Sequence, residues 1–185
     1  MDLCVGMHGT RSVQKLIEVV SRRPLGHRKL LARFLRENVA TLSHEINGNH
    51  VLVKVLQNWS HQDKDFIYQE LVKKTVEIAC HKHGCCLMQK SIDAANQEQK
   101  EVLTMAIAKQ TRRFVRDPFA NYVIQYVLGL KMKHISKEVG SQLLGSLLDL
   151  SLEKFSSNVI EKCLEATTEE IRNKMVAEIA SAPTF

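Results

Sequence analysis

The 185-residue chain reads as an all-α repeat protein, and three observations carry that reading. Helix breakers are sparse, with prolines only at Pro24, Pro118 and Pro183. Apolar residues recur at i, i+3, i+4 and i+7, as in Leu30, Leu31, Phe34, Leu35, Val39, Leu42, Ile46 and again in Val102, Leu103, Ala106, Ile107, while period-two alternation is scarce. A seven-residue segment also returns at a nearly fixed interval, and a fixed period built from helical units means a solenoid in which each unit buries its apolar face against its neighbours.

The periodicity predicts helices near 11–20, 28–43, 50–59, 64–80, 86–94, 98–113, 122–130, 134–151, 158–166 and 168–180. Their order alternates short with long. Polar breaks at Ser60-His61-Gln62-Asp63, Asn96-Gln97-Glu98 and Thr167-Thr168-Glu169-Glu170 offer N-cap side chains with acids in the first turn.

Five segments superimpose: Gly9-Thr-Arg-Ser-Val-Gln-Lys15, Gly48-Asn-His-Val-Leu-Val-Lys54, Gly84-Cys-Cys-Leu-Met-Gln-Lys90, Ala120-Asn-Tyr-Val-Ile-Gln-Tyr126 and Ser156-Ser-Asn-Val-Ile-Glu-Lys162. Their second residues, 10, 49, 85, 121 and 157, are 39, 36, 36 and 36 apart. The three extra residues fall in the loop around Arg22-Arg23-Pro24-Leu25-Gly26.

Numbering that second residue zero separates two chemistries. Positions +2, +3, +6 and +7 are apolar or small and form the core: Val51, Leu52, Val55, Leu56; Leu87, Met88, Ser91, Ile92; Val123, Ile124, Val127, Leu128; Val159, Ile160, Cys163, Leu164. Position −1 is small in every unit, which suits close approach between packed helices. Positions 0, +1 and +4 lie at about 0°, 100° and 40° around the helix and share one arc. They hold Thr10, Arg11, Gln14; Asn49, His50, Val53; Cys85, Cys86, Gln89; Asn121, Tyr122, Gln125; and Ser157, Asn158, Glu161. Three of the +1 residues are flat, and flat side chains between hydrogen-bonding pairs are what unstacked bases require: planes to stack on, and donors or acceptors for their edges.

Composition narrows the alternatives. A formal charge of +6 permits nucleic-acid binding without implying it. The five cysteines, Cys4, Cys80, Cys85, Cys86 and Cys163, have no framework spacing, no signal-peptide pattern opens the chain, and no apolar run approaches membrane length. An intracellular, reducing location is expected, cytoplasmic with the nucleus left open. His81-Lys-His83-Gly-Cys85-Cys86 looks metal-like, but other units carry no ligands in that register and zinc needs four converging ligands. No nucleophile elbow supports catalysis, so neither an enzyme, a metal nor a cofactor is expected. The +5 lysines (Lys15, Lys54, Lys90, Lys162) suit RNA phosphates or solubility equally, and Trp59, at a helix end, suits packing.

Asn121-Tyr-Val-Ile-Gln125, Ser157-Asn-Val-Ile-Glu161, Gly48-Asn-His-Val-Leu52 and His83-Gly-Cys-Cys resemble the repeat signatures of the Pumilio (PUF) family, over essentially the whole chain. The resemblance implies a right-handed, armadillo-like superhelix of three-helix repeats whose concave helices bind single-stranded RNA antiparallel, one base per repeat, a code known for PUF repeats. It implies binding to messenger 3′ untranslated regions, control of translation or stability, repressor or deadenylase partners on the convex face, and a monomer. Residues 1–185 would be a partial homology domain, matching roughly the third to seventh of eight repeats and ending at Pro183-Thr184-Phe185 inside a further one.

Pair chemistry agrees with the resemblance. Acceptor-only Glu161 with Ser157 suits the two donors of guanine, and the amides of Asn121 and Gln125 suit uracil. Gln89 beside small Cys85 suits adenine, as does the variant pair Thr10/Gln14. The expected RNA is 5′-GUANA-3′, because Val53 departs from the family's usual Gln and cannot bond a base edge. Cys86 departs too, where Arg is more usual. Two other readings remain open: a HEAT-like or armadillo-like protein scaffold, and a ribosome-biogenesis relative that binds nucleic acid through charge.

Overall fold

A computed structural model describes residues 1–181, apart from the side chain of Leu25. The terminal Pro183-Thr184-Phe185 lies outside them. The described residues form fourteen helices and no strand. These are α1 (Asp2–Val5), α2 (Gly9–Ser21), α3 (Leu25–His44), α4 (Ile46–Asn58), α5 (Asp65–Lys73), α6 (Thr75–Ala79), α7 (Gly84–Ala94), α8 (Gln97–Ala108), α9 (Thr111–Phe114), α10 (Ala120–Gly129), α11 (Lys133–Leu143), α12 (Leu147–Leu152), α13 (Ser156–Ala166) and α14 (Glu169–Ala180).

The short helices α2, α4, α7, α10 and α13 carry the repeated segments. Three of the long helices expected from periodicity are instead divided, giving three helices per repeat. Two breaks have a local cause. Thr75 Oγ1 donates back to the carbonyls of Leu71 (2.9 Å) and Val72 (2.7 Å), and Thr111 Oγ1 to Ala108 (2.6 Å), so a hydroxyl satisfies carbonyls freed where the chain bends. The residue at the same register in the uninterrupted α3 is Val39, which has no hydroxyl. The third break, between α11 and α12, turns on Gly145 at φ +85°.

The anticipated caps are only partly realised. Asn96 and Gln99 form a reciprocal capping box at the start of α8 (Gln99 N to Asn96 Oδ1, 2.8 Å; Asn96 N to Gln99 Oε1, 3.3 Å). Ser60 Oγ instead accepts from Asp63 N ahead of α5, and Thr168 makes no side-chain cap on α14. The apolar stripe of α3 identifies a helix but overstates its buried face. Leu35, Val39 and Leu42 are buried, while Leu30 and Phe34 face solvent, as does Ile46, which the structure places at the start of α4.

The chain forms two compact units, Met1–Leu103 and Thr104–Phe185. In the first, α4 packs against α2, α3 and α7, and α3 against α5. In the second, α13 packs against α10, α11 and α12, and α14 against α11 and α12. The +2, +3, +6 and +7 residues of α4, α7, α10 and α13 are buried as expected, except Leu164, which is half-buried. Trp59 is buried, with its indole N–H donating to Ile17 O (3.3 Å).

Position −1 sits directly over the carbonyl six residues earlier. A Cβ added to Gly9, Gly48 or Gly84 would lie 2.7, 2.6 or 2.0 Å from the carbonyl oxygen of Leu3, Leu42 or Ile78. At Ser156 the same carbonyl position, Leu150 O, accepts the serine hydroxyl at 2.7 Å. The small residues therefore serve contact with the preceding helix of the same repeat.

At their other ends, several of these helices are capped by basic side chains. Lys64 Nζ donates to Leu56 O and Ala94 O (both 2.8 Å), tying the last turns of α4 and α7 together, and burial lowers its pKa. Arg28 does this for α2 (Ser21 O, 2.9 Å), and Arg172 for α13 (Leu164 O, 2.8 Å). Residues 28, 64 and 172 share one register of the 36-residue period.

Two tests probe this framework. Gly84→Ala should destabilise by about 3 kcal/mol, since the obstacle is backbone. Gly26→Ala, with nothing within 4 Å, should be neutral or stabilise by up to about 1 kcal/mol. Denaturant midpoints compare the two, and equal effects would contradict the packing account. The second test concerns Glu18, which binds both Lys15 and Lys54 and is held at a pKa of about 2 by hydrogen bonds from Lys54 and then Lys15. Because its folded pKa lies below the ordinary 4.5, its contribution is complete above that pH and is lost as the pH falls toward about 2. Glu18→Gln should accordingly flatten the acid limb of stability across this window in pH-dependent thermal unfolding.

Candidate nucleic-acid interface

Exposure around the short helices follows helical angle more finely than a two-face division. Position +1, at about 100°, is exposed in every repeat: Arg11, His50, Cys86, Tyr122 and Asn158. Position +4, at about 40°, is half-buried for Gln14, Val53, Gln89 and Gln125 and exposed for Glu161. Position 0 is buried at Thr10, Asn49, Cys85 and Asn121, with only Ser157 half-buried. The single open arc expected from the sequence is thus corrected. Position 0 lies only about 20° from the core position +7, so it borders the packed interior.

In the first unit the position-0 side chains tether repeats. Thr10 Oγ1 donates to Asn47 O (3.3 Å) and Asn49 Nδ2 to His83 O (2.8 Å); each acceptor stands at position −2 of the next repeat. Gln14 Nε2 donates to Thr10 Oγ1 (3.1 Å), so that pair is bonded to itself. Asn49 has no such partner in apolar Val53. The Cys85 thiol donates to Lys82 O (3.4 Å) and its burial pushes the pKa up to about 12, making it a packed, un-ionised group. Among the described residues the Gln89 amide has no partner, and Cys86 Sγ lies 4.0 Å from Cys85 Sγ.

In the second unit, Asn121 Nδ2 donates to Asp117 O (2.8 Å) and Gln125 Nε2 to Asn121 Oδ1 (2.9 Å). This fixes both amides and leaves the half-buried Gln125 its carbonyl and one N–H for an external partner, with buried Asn121 orienting it. Among the described residues Ser157 and Glu161 have no side-chain hydrogen-bond partner, so this pair keeps its hydrogen-bonding capacity. Tyr122, 54% exposed, presents a ring, and Asn158 is held loosely by its bond to Lys154 O (3.2 Å).

The +5 lysines are partly neutralised by acids one turn on, through Lys15–Glu18 at 3.0 Å and Lys162–Glu165 at 3.3 Å, with Lys54 also on Glu18. Exposed pairs of this kind are weak. The histidine-rich stretch serves packing: His81 stacks on His44 with ring centroids 4.2 Å apart, and burial lowers its pKa. Among the described residues no group of three or more His, Cys, Asp or Glu is placed to hold a metal ion, and no helix is long and apolar enough to cross a membrane.

Sequence reasoning missed the basic caps Arg28, Lys64 and Arg172, which fix the C-terminal ends of the helices carrying the pairs. Their recurrence in one register of the period was the available signal.

Comparison with known proteins agrees with this geometry. The family model for the Pumilio-family RNA binding repeat matches residues 1–23, 38–72, 74–108, 113–129 and 146–180. A Pumilio domain-containing protein of Schizosaccharomyces pombe is 38% identical over 179 residues, covering 97% of this chain and 26% of its own length. Pumilio homolog 12 of Arabidopsis thaliana is 36% identical, covering 94% of this chain and 29% of that protein. The chain therefore spans between a quarter and a third of these curated relatives. Among solved structures, the Puf4 RNA binding domain bound to the HO endonuclease RNA 3′ UTR recognition sequence superimposes with a TM-score of 0.83 at 32% identity, covering 96% of this chain and 55% of that one. The RNA-binding domain of yeast Puf5p bound to SMX2 RNA gives 0.81 at 29%, covering 95% and 53%. The fold is thus that of the Puf repeat solenoids, and the chain belongs to the Pumilio family.

Proposed function

We propose that this chain binds single-stranded RNA with sequence preference and performs no catalysis. The observation that carries the reading is the Ser157/Glu161 pair, without side-chain partners among the described residues, in the same helical register as the fixed amide pair Asn121/Gln125. A structure need not leave a carboxylate and a hydroxyl free at the register where other repeats hold amides, whereas base recognition uses that variation. The likeness to Puf4 and Puf5p domains bound to RNA supports the same reading.

In this reading the RNA runs antiparallel to the chain. Ser157 and Glu161 accept from the two guanine donors. Asn121 and Gln125 answer uracil, and their mutual bond orients both amides before the base arrives, which lowers the ordering cost. Gln89 bonds adenine beside Cys85, and Thr10/Gln14 read the final adenine. Between these two adenines, Asn49 is committed to His83 O and Val53 offers no hydrogen bond, so any base is accepted. The core is 5′-GUANA-3′. Arg11, His50, Tyr122 and Asn158 stack or pack between bases, and Cys86 offers less surface than they do.

The wider proposal is that residues 1–185 form part of a longer repeat domain acting on messenger 3′ untranslated regions in the cytoplasm. There it controls translation or stability as a monomer, through repressor or deadenylase proteins on the convex face.

Two variants test the reading. Ser157→Asn with Glu161→Gln should move the preference at the first base from G to U in competition binding; retained preference for G removes these residues from the readout. Val53→Gln recreates the Asn/Gln pair and should introduce a preference for U at the fourth base, about tenfold for roughly 1.4 kcal/mol of added hydrogen bonding. Continued indifference at that base would sink the assignment of Val53. Sequence-blind binding with a steep salt slope would favour a charge-driven mode instead.

A further inference from the structure

Three histidines meet where α4 and α7 are joined. His44 ends α3, and its ring stacks on that of His81, in the turn between α6 and α7, with centroids 4.2 Å apart and 28° between the planes. The His83 ring lies 5.7 Å from that of His81. The turn also carries hydrogen bonds that set the neighbouring helices. His81 Nδ1 accepts the His83 backbone N–H at 3.3 Å, and His81 O accepts Cys85 N at 3.0 Å in the first turn of α7. His83 O accepts both Leu87 N (3.3 Å) and Asn49 Nδ2 (2.8 Å). One carbonyl thus starts α7 and holds the position-0 residue of α4.

This arrangement requires uncharged rings. A proton on His81 Nδ1 turns the acceptor of the His83 N–H into a second donor. A cation at His44 leaves its buried Nε2 as an N–H without an acceptor, since that atom has no hydrogen-bond partner among the described residues. Two charged rings at this spacing also repel each other. Burial does most to lower the pKa of His81; His44, then His83 and Lys82, add to it, and exposed Glu45 opposes them. Cys85 on α7 contributes an un-ionised thiol. Because the folded pKa of His81 lies below the ordinary 6.5, its contribution to stability is complete above that pH and is lost as the pH falls through the folded value.

We propose that the His44/His81 stack is an acid-sensitive joint that positions α7 and α4, the readers of the third and fourth bases, only while both rings are neutral. This rests on the base-reading register above. His81 is a positioning residue: it acts through the His83 carbonyl on Asn49, and through the first turn of α7 on Cys85 and Gln89. Acidification then loosens RNA binding at these two repeats and leaves the guanine-reading repeat alone.

The test compares about pH 7.5 with about pH 5.5, one unit either side of the ordinary histidine value. Fluorescence anisotropy gives the affinity of the 185-residue chain for 5′-GUAUA-3′, and thermal unfolding without RNA gives Tm. Affinity should fall several-fold at the lower pH, within the roughly tenfold per pH unit that one proton allows. The penalty for changing the third base should shrink, while that for changing the first stays. Because His50 also faces the proposed RNA, the comparison that counts is with variants. His81→Asn keeps an acceptor for the His83 N–H but takes up no proton, so the acid loss of affinity should vanish and the fall in Tm should be smaller. His44→Phe keeps a ring over His81 without a second proton site and should lose less affinity than the wild type. Equal acid losses in the wild type and His81→Asn overturn the proposal. So does a His81 ring that titrates at the ordinary value in NMR spectra of the wild-type chain, a measurement that needs no variant to fold. If the RNA fails to bind at the higher pH, base reading fails. The joint then stands if the acid fall in Tm is larger in the wild type than in His81→Asn, and falls if the two are equal.

Discussion

The structure depends on one close approach repeated along the chain: a small residue laid against the carbonyl six positions earlier. At Gly48 and Gly84 the approach leaves no room for a methyl group, and at Ser156 the contact becomes a hydrogen bond. This fixes where each pair-bearing helix begins relative to the helix before it. Everything proposed for the site follows from that start, because the 0, +1 and +4 side chains lie in the next turn and a half. The opposite ends are fixed by Arg28, Lys64 and Arg172, with Lys64 joining α4 to α7 through two carbonyls. Side chains that must meet a ligand in a set geometry are most dependable on elements held at both ends.

Most of the fold was legible in the sequence because the period repeats both the core positions and the small residue. The divisions of the long helices were not, because hydrophobic periodicity runs through a break that leaves the apolar face in phase. Their cause lies in single residues, Thr75 and Thr111, whose hydroxyls bond back to the preceding turn, and the contrast with Val39 is visible only once the break is seen. The exposed half of the α3 stripe escaped for a related reason: periodicity reports that a face is apolar, while burial depends on what packs against it.

The candidate site was legible as residue types and less so as roles. Position 0 stands beside the core, so Thr10 and Asn49 work as tethers between repeats as well as members of a pair. The same packing separates the pairs by commitment. Asn121/Gln125 is locked by an internal bond, Thr10/Gln14 by a second, Asn49 is bound to a neighbouring carbonyl, and Ser157/Glu161 has no side-chain partner among the described residues. Hydrogen-bond commitment, which sequence does not display, thus grades five formally equivalent positions.

That grading makes the central claim measurable. Equilibrium affinities of the chain for 5′-GUANA-3′ and for every single-base change in it, at one fixed salt concentration, give a penalty at each position. The account predicts clear penalties, each about 1–3 kcal/mol, at the first three bases, none at the fourth, and a smaller one at the fifth, where the Thr10 hydroxyl is committed to Asn47 O and Gln14 alone can reach the base. A flat profile, or a penalty at the fourth base equal to that at the first, would contradict it.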